Sequence, residues 1–173
     1  MTQKQEKILT TALELFAVDG YAATPTSRIA RRAGVSEGLI FRHFENKEGL
    51  LQAILEYGRE YAAVAYAEIL EAGDPKTTIR TALELPFRID HAQYHFWRLI
   101  YSLKWQMETY DYSMSAPVRT ALEQAFETLG YQQPEAEAEL VMAVIDGLAT
   151  AILLRKQEQA GELREALLAK YGL

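Results

Sequence analysis

The 173-residue sequence predicts an all-α protein, with a small N-terminal helix-turn-helix head of three helices on a larger helical body. Three observations predict it. Apolar residues recur every three or four positions, strand-like alternation is missing, and most Gly and Pro residues fall where helices should start or stop. With 49% hydrophobic residues the chain has enough apolar surface to bury a core, which argues against disorder.

Each element follows from local chemistry. A first helix over Gln3–Asp19 begins with Thr2 and Gln5 as a capping box, carries Ile8, Ala12, Leu15 and Phe16 on one face, and ends at Gly20. Thr24-Pro25 suits an N-cap followed by a first-turn proline, so a second helix spans Pro25 to Ala33. Its inward side is Ile29, Ala30 and Ala33; its outward side is Ser27, Arg28, Arg31 and Arg32. Gly34 can take the left-handed conformation that stops this helix, Val35 fills the gap beneath the turn, and Ser36 caps a third helix, Glu37 to Phe44. Two short helices joined this way make a helix-turn-helix. Ile40 and Phe44, four apart, point inward and leave Glu37, Gly38, Leu39, Phe41, Arg42 and His43 exposed on a cylinder thin enough for a major groove.

Asn46 caps a fourth helix that continues to about Ala72, with Lys47 in its first turn. A cation there opposes the helix dipole, so it makes better sense beside a phosphate. Gly73 closes this helix and Asp74-Pro75 opens the next.

Composition narrows the function. Residues 1–50 hold seven Lys/Arg and six Asp/Glu, whereas the remainder holds eleven and eighteen. A local basic cluster on an acidic chain is the electrostatic footprint of a nucleic-acid contact, although a solvated helix face gives the same count. Without cysteine there is neither a disulfide framework nor thiolate chemistry. No targeting segment is apparent, and the longest apolar run, Leu140 to Leu154, is interrupted by Asp146 and falls short of the roughly 20 residues that span a bilayer. The expectation is a soluble cytoplasmic protein without membrane partners. An enzyme is disfavoured because there is no glycine-rich phosphate loop, nucleophile elbow or complete metal constellation, and no cofactor is implied.

In the body, HAQYHFWRLIYSLKWQMETYDYSM is apolar nearly all round and should lie centrally. Most of its aromatics should be core. A few should line a cavity for a small, largely apolar or aromatic molecule, since Met and aromatic side chains build adaptable pockets. The candidates are Phe87, Trp97, Tyr101, Trp105 and Tyr110, with Arg88, Arg98, His91 and His95 available to an anionic group. His91 and His95 share a helical face beside Asp90, but no third or fourth ligand follows at a metal-binding spacing.

The run KILTTALELFAVDGYAATPTSRIARRAGVSEGLIFRHFENKEGLLQAIL, residues 7–55, resembles the DNA-binding head of the TetR family of transcriptional regulators. The ordered elements are ALELFAVDGY, a Thr shortly after, IA before AGVS, an aromatic in the recognition helix, HF, and NKEGLL. The resemblance implies a DNA-binding domain at 1–46 and a ligand-binding and dimerisation domain at 47–173. It implies a homodimer on a palindromic double-stranded operator, most simply a repressor released by a small-molecule effector. A related protein acting mainly through protein partners, with DNA as a tether, is the alternative.

By position, the resemblance places Thr24 and Thr26 at phosphates, and Ser27 and Arg28 at phosphates or a base edge. Ser36, Glu37, Gly38, Leu39, Phe41, Arg42 and His43 fall in the recognition helix, with Lys47 as a phosphate anchor. Phe41 stands where Tyr is usual, which removes a phenolic hydrogen bond. Glu37 stands where Lys is common and either accepts from a cytosine amino group or favours the helix N-terminus. Arg42 and His43 are DNA contacts or members of a solvated face. Near the carboxy end, Val141, Val144, Ile145, Leu148 and Ile152 form a stripe, with Gly147 allowing close approach of another backbone, followed by Leu163 and Leu167 on a last helix. These two helices resemble the pair that packs across the family's dimer axis, against packing within one chain.

Overall fold

The structure, a computed structural model, describes residues 1–106, 113–155 and 160–173. Among the described residues are nine α-helices: α1 Gln3–Asp19, α2 Thr26–Ala33, α3 Glu37–Phe44, α4 Lys47–Leu70, α5 Pro75–Glu84, α6 Tyr94–Gln106, α7 Ala116–Thr128, α8 Pro134–Arg155 and α9 Ala160–Lys170. Short 3-10 turns, Leu85–Phe87 and His91–Gln93, lie between α5 and α6, and no strand occurs among the described residues. The all-α expectation holds. The chain forms two compact units, Met1–Glu60 with Ala92–Met107, and Tyr61–His91 with Glu108–Leu173.

The first unit is built on α1. The Gln5 amide donates to Thr2 Oγ1 at 3.3 Å and the Thr2 amide to Gln5 Oε1 at 2.8 Å, completing the expected capping box. Ile8, Ala12, Leu15 and Phe16 are buried together with Ile29, Ile40, Leu50 and Ile54, each of the larger ones removing enough apolar surface to contribute roughly 1.5–3 kcal/mol. Two glycines set how closely backbones approach. At Gly49, in the first turn of α4, a Cβ would lie 2.1 Å from the Phe44 carbonyl oxygen. At Gly58, a Cβ would lie 1.7 Å from the ring of Phe96, which is itself fully buried, so α4 and α6 meet only because Gly58 has no side chain. The Arg98 Nε donates to the Ala17 carbonyl at 2.7 Å, tying α6 to the carboxy end of α1.

The second unit packs α5, α7 and α8 around Ile69, Ile79, Leu83, Leu122, Phe126, Val141 and Ile145. Asp74 caps α5 as expected, its Oδ1 accepting from the Lys76 and Thr77 amides at 3.0 and 3.1 Å, with Pro75 in the first turn. Arg164 of α9 pairs with Glu84 of α5, and Arg119 of α7 with Glu139 of α8 at 3.3 Å. Tyr66 is pushed up to about 12, first by burial and then by the charge of Asp146.

Candidate nucleic-acid interface

The angle between α2 and α3 comes from three residues. Gly34 is left-handed, with φ 66° and ψ 38°, and its amide reaches back to the Ala30 and Arg31 carbonyls. The Val35 amide donates to the Ala30 carbonyl at 3.0 Å, closing the last turn of α2. Ser36 then occupies the N-cap position of α3 but makes no side-chain capping bond. Ile40 and Phe44 anchor α3 in the core, and the helix offers Gly38, Phe41 and Arg42 outward, with Glu37, Leu39 and His43 half-buried beside them.

Beyond α3, the chain turns through Glu45, whose φ is 64°, and the Asn46 amide donates to the Phe44 carbonyl at 2.7 Å. Asn46 Oδ1 accepts from the Gly49 amide at 2.7 Å, so the expected cap of α4 is present. This tight corner delivers Lys47. Its ammonium lies 4.5 Å from the Tyr21 ring centroid and 5.8 Å from that of Phe16, and donates to the Ala22 carbonyl at 3.3 Å. Partial burial holds Lys47 below the usual lysine range.

Carboxylates divide the basic cluster. Arg28 pairs with Asp19 at 2.9 Å and Arg32 with Glu14 at 3.2 Å, so these two are partly neutralised by α1. Arg31 and Arg42 are exposed, and neither forms an ion pair among the described residues. Neither α2 nor α3 has a side-chain cap at its N-terminus, which leaves first-turn amides open to an anion. Thr26 Oγ1, at the first position of α2, donates to Glu37 Oε1, at the first position of α3, over 2.6 Å.

The expected role of Thr24 is corrected. Helix α2 starts at Thr26 with Pro25 as its N-cap, and Thr24 is 0% exposed. Its hydroxyl donates inward to the Gly20 carbonyl at 2.8 Å and cannot meet a phosphate. Proline ahead of a helix already fixes the extended entry, so the threonine before it is free to bind the preceding turn.

The sequence profile of bacterial regulatory proteins of the tetR family matches residues 8–54. Residues 8–54 belong to that family. A HTH-type transcriptional regulator of Bacillus subtilis is 47% identical over 55 residues, which is 32% of this chain and 29% of that protein. A HTH-type transcriptional repressor of Mycobacterium tuberculosis is 37% identical over 82 residues, covering 47% of this chain and 42% of its own. The matched segment thus spans less than half the length of these curated relatives. The fold extends further: a transcriptional regulator of Saccharomonospora viridis, solved with choline, superposes with a TM-score of 0.76 over 99% of this chain and 96% of that one, at 20% identity.

Outside the tetR-type head, the expected ligand residues take different positions within their own units. Trp97 and Tyr101 are buried in α6, within the first unit, the Trp97 Nε1 donating to Gln93 Oε1 at 3.2 Å. Phe87 is half-buried in the second unit, and Tyr110 lies outside the described residues. Trp105, at the end of α6, is 70% exposed. Of the groups expected for an anionic ligand, Arg88 is taken by Glu68 at 2.6 Å and Arg98 by the Ala17 carbonyl. His95 Nδ1 is buried without a hydrogen-bond partner among the described residues.

The carboxy-terminal stripe divides by burial. Val141 and Ile145 face the unit's own core, at 0% and 5% exposure. Val144, Leu148, Ile152 and Leu167 are half-buried and Leu163 is exposed. Sequence reasoning missed Leu140, 56% exposed on α8, four residues before Val144 and eight before Leu148. That spacing was the available signal. Gly147, on the same side, is open, with nothing within 4 Å of where a Cβ would stand. Among the described residues, no helix is long and apolar enough to cross a membrane.

Proposed function

We propose that the protein is a transcriptional repressor acting in the cytoplasm, which binds a palindromic operator as a homodimer and releases it when a small, largely apolar or aromatic effector binds. One observation carries the reading: α3 is anchored by Ile40 and Phe44 while Phe41 and Arg42 face outward, on a head of the tetR family. A helix presented this way suits the major groove, where arginine pairs with guanine O6 and N7, and the open amides of α2 suit the flanking phosphates. Ser27, Gly38, Leu39, His43 and Lys47 join the DNA-facing set.

The homodimer is supported by the exposed apolar side of α8 and α9, with Leu140, Val144, Gly147, Leu148 and Leu163, which a second copy would cover. Two copies also supply the two heads that a palindrome requires. The mycobacterial relative bears the name of a repressor, which favours repression over activation. The effector reading rests on α6. Its buried Trp97 and Tyr101 and the unpartnered His95 Nδ1 would contact the effector, and Arg98 joins the same helix to α1. An effector that prefers a displaced α6 lowers DNA affinity by its differential affinity for the two arrangements, and by no more.

The test is selection of bound fragments from random duplexes by the purified full chain, followed by measurement of oligomeric state. Enrichment of a palindrome by a dimer is expected. A strict monomer showing no preference for any duplex at low salt would end the reading.

A further inference from the structure

We propose that Glu37, held in place by Thr26, is a specificity-determining residue that reads the amino group of a cytosine at one position in each half-site and rejects guanine and thymine there. The inference rests on the reading that α3 enters a major groove.

The geometry is specific to this pair of residues. Thr26 and Glu37 begin different helices, and Thr26 Oγ1 donates to Glu37 Oε1 at 2.6 Å. The helix dipole alone favours an acid at the start of α3, but it needs no partner from α2. What the threonine adds is position: a long side chain with several rotamers is confined to one, at the end of the helix that leads into the groove. One lone pair is satisfied by the hydroxyl, and the second carboxylate oxygen, Oε2, remains as an acceptor.

An ionised carboxylate can only accept. Guanine presents O6 and N7 to the major groove and thymine presents O4, all acceptors, so both are repelled. Adenine offers an amino group beside the acceptor N7, whereas cytosine offers its amino group with no acceptor next to it. Cytosine is therefore the best match and adenine the second. The same negative charge lies among phosphates and weakens binding to every sequence, so Glu37 trades general affinity for discrimination. That combination separates it from a cationic contact such as Arg42, whose removal would lower both.

The experiment selects random duplexes with the full-length wild type, Glu37→Gln, Thr26→Val and Thr26→Ser. The wild type should favour cytosine about tenfold over guanine or thymine at one symmetry-related pair of positions. Glu37→Gln should lose that preference, keep the rest of the motif, and bind an unrelated duplex several-fold more tightly. Thr26→Val should admit adenine alongside cytosine, and Thr26→Ser, which keeps the hydroxyl, should restore the wild-type choice. A Glu37→Gln motif identical to the wild type would overturn the inference while leaving DNA recognition standing. Relaxation by Glu37→Gln with no change in Thr26→Val would overturn the positioning role of Thr26. If the wild type itself enriches nothing, DNA recognition fails and the inference falls with it.

Discussion

The first unit exposes cations and open helix ends around α3, whereas the second exposes apolar side chains on α8 and on α9. Both surfaces are unsatisfied within one chain, but by different forces. Arg31 and Arg42 remain in water at little cost, so their surface can form and dissolve with salt and with sequence. Leu140, with the half-buried Val144 and Leu148 on the same helix, and Leu163 on α9 gain from any cover that removes water, and that gain is insensitive to which base pair lies elsewhere. The contrast separates a surface suited to selective contact from one suited to lasting association.

Placing a charge on the apolar strip should break the contrast most severely. Leu140→Glu, at a position exposed enough for a folded single chain to tolerate it, is expected to give a monomer by light scattering. Operator binding should then weaken by about a hundredfold or more, because two linked heads become independent. A dimer of unchanged affinity would show that the strip on α8 is not the interface.

The second change attacks the head's own frame. Gly49→Ala drives a methyl against the Phe44 carbonyl and should cost about 2 kcal/mol, read as a lower Tm and a weaker cooperative transition. An unchanged Tm would mean that the corner after α3 relaxes freely.

Alkaline titration of Tyr66 reports on the second unit. Tyr66 has its folded value raised to about 12 from 10.0, so its contribution is complete below pH 10 and declines as pH rises from there toward 12, where the unfolded chain ionises first. Stability measured by urea unfolding should fall by about 1–2 kcal/mol over that window, and Tyr66→Phe should flatten that part of the decline. Equal slopes in both proteins would assign the decline to other groups.

The smallest effect is expected at Lys47→Ala. Binding should weaken several-fold for all duplexes alike, and the salt slope should drop by about one unit for each phosphate that a subunit no longer neutralises. A change in base preference, with the slope intact, would move Lys47 from the phosphates to the bases.

The two units also differ in how far their sequences could be read. In the head, Thr2 with Gln5, Gly34 before Val35, and Asn46 before Gly49 are local signals, each satisfied within a few residues, and each forms as expected. Thr24 misleads because Pro25 displaces the cap by one residue, and the choice between capping forward and bonding backward to Gly20 depends on how the chain folds over α1. In the body, the segment from Pro134 to Arg155 is apolar on almost every side, so periodicity cannot tell Val141 and Ile145, which pack within the chain, from Leu140 and Leu148. Trp105 reads as a cavity-lining aromatic from composition and is 70% exposed.

By itself, then, the amino-acid order determined the helices, their stops, and the residues of α3 that turn away from the core, because capping, glycine conformation and helical spacing act over a single turn. Only the tertiary structure decided the pairing of Arg28 with Asp19 and Arg32 with Glu14, the bond from Thr26 to Glu37, and the face of α8 left uncovered. Those choices depend on which helices pack side by side, and side chains on different helices meet only after the cores have closed.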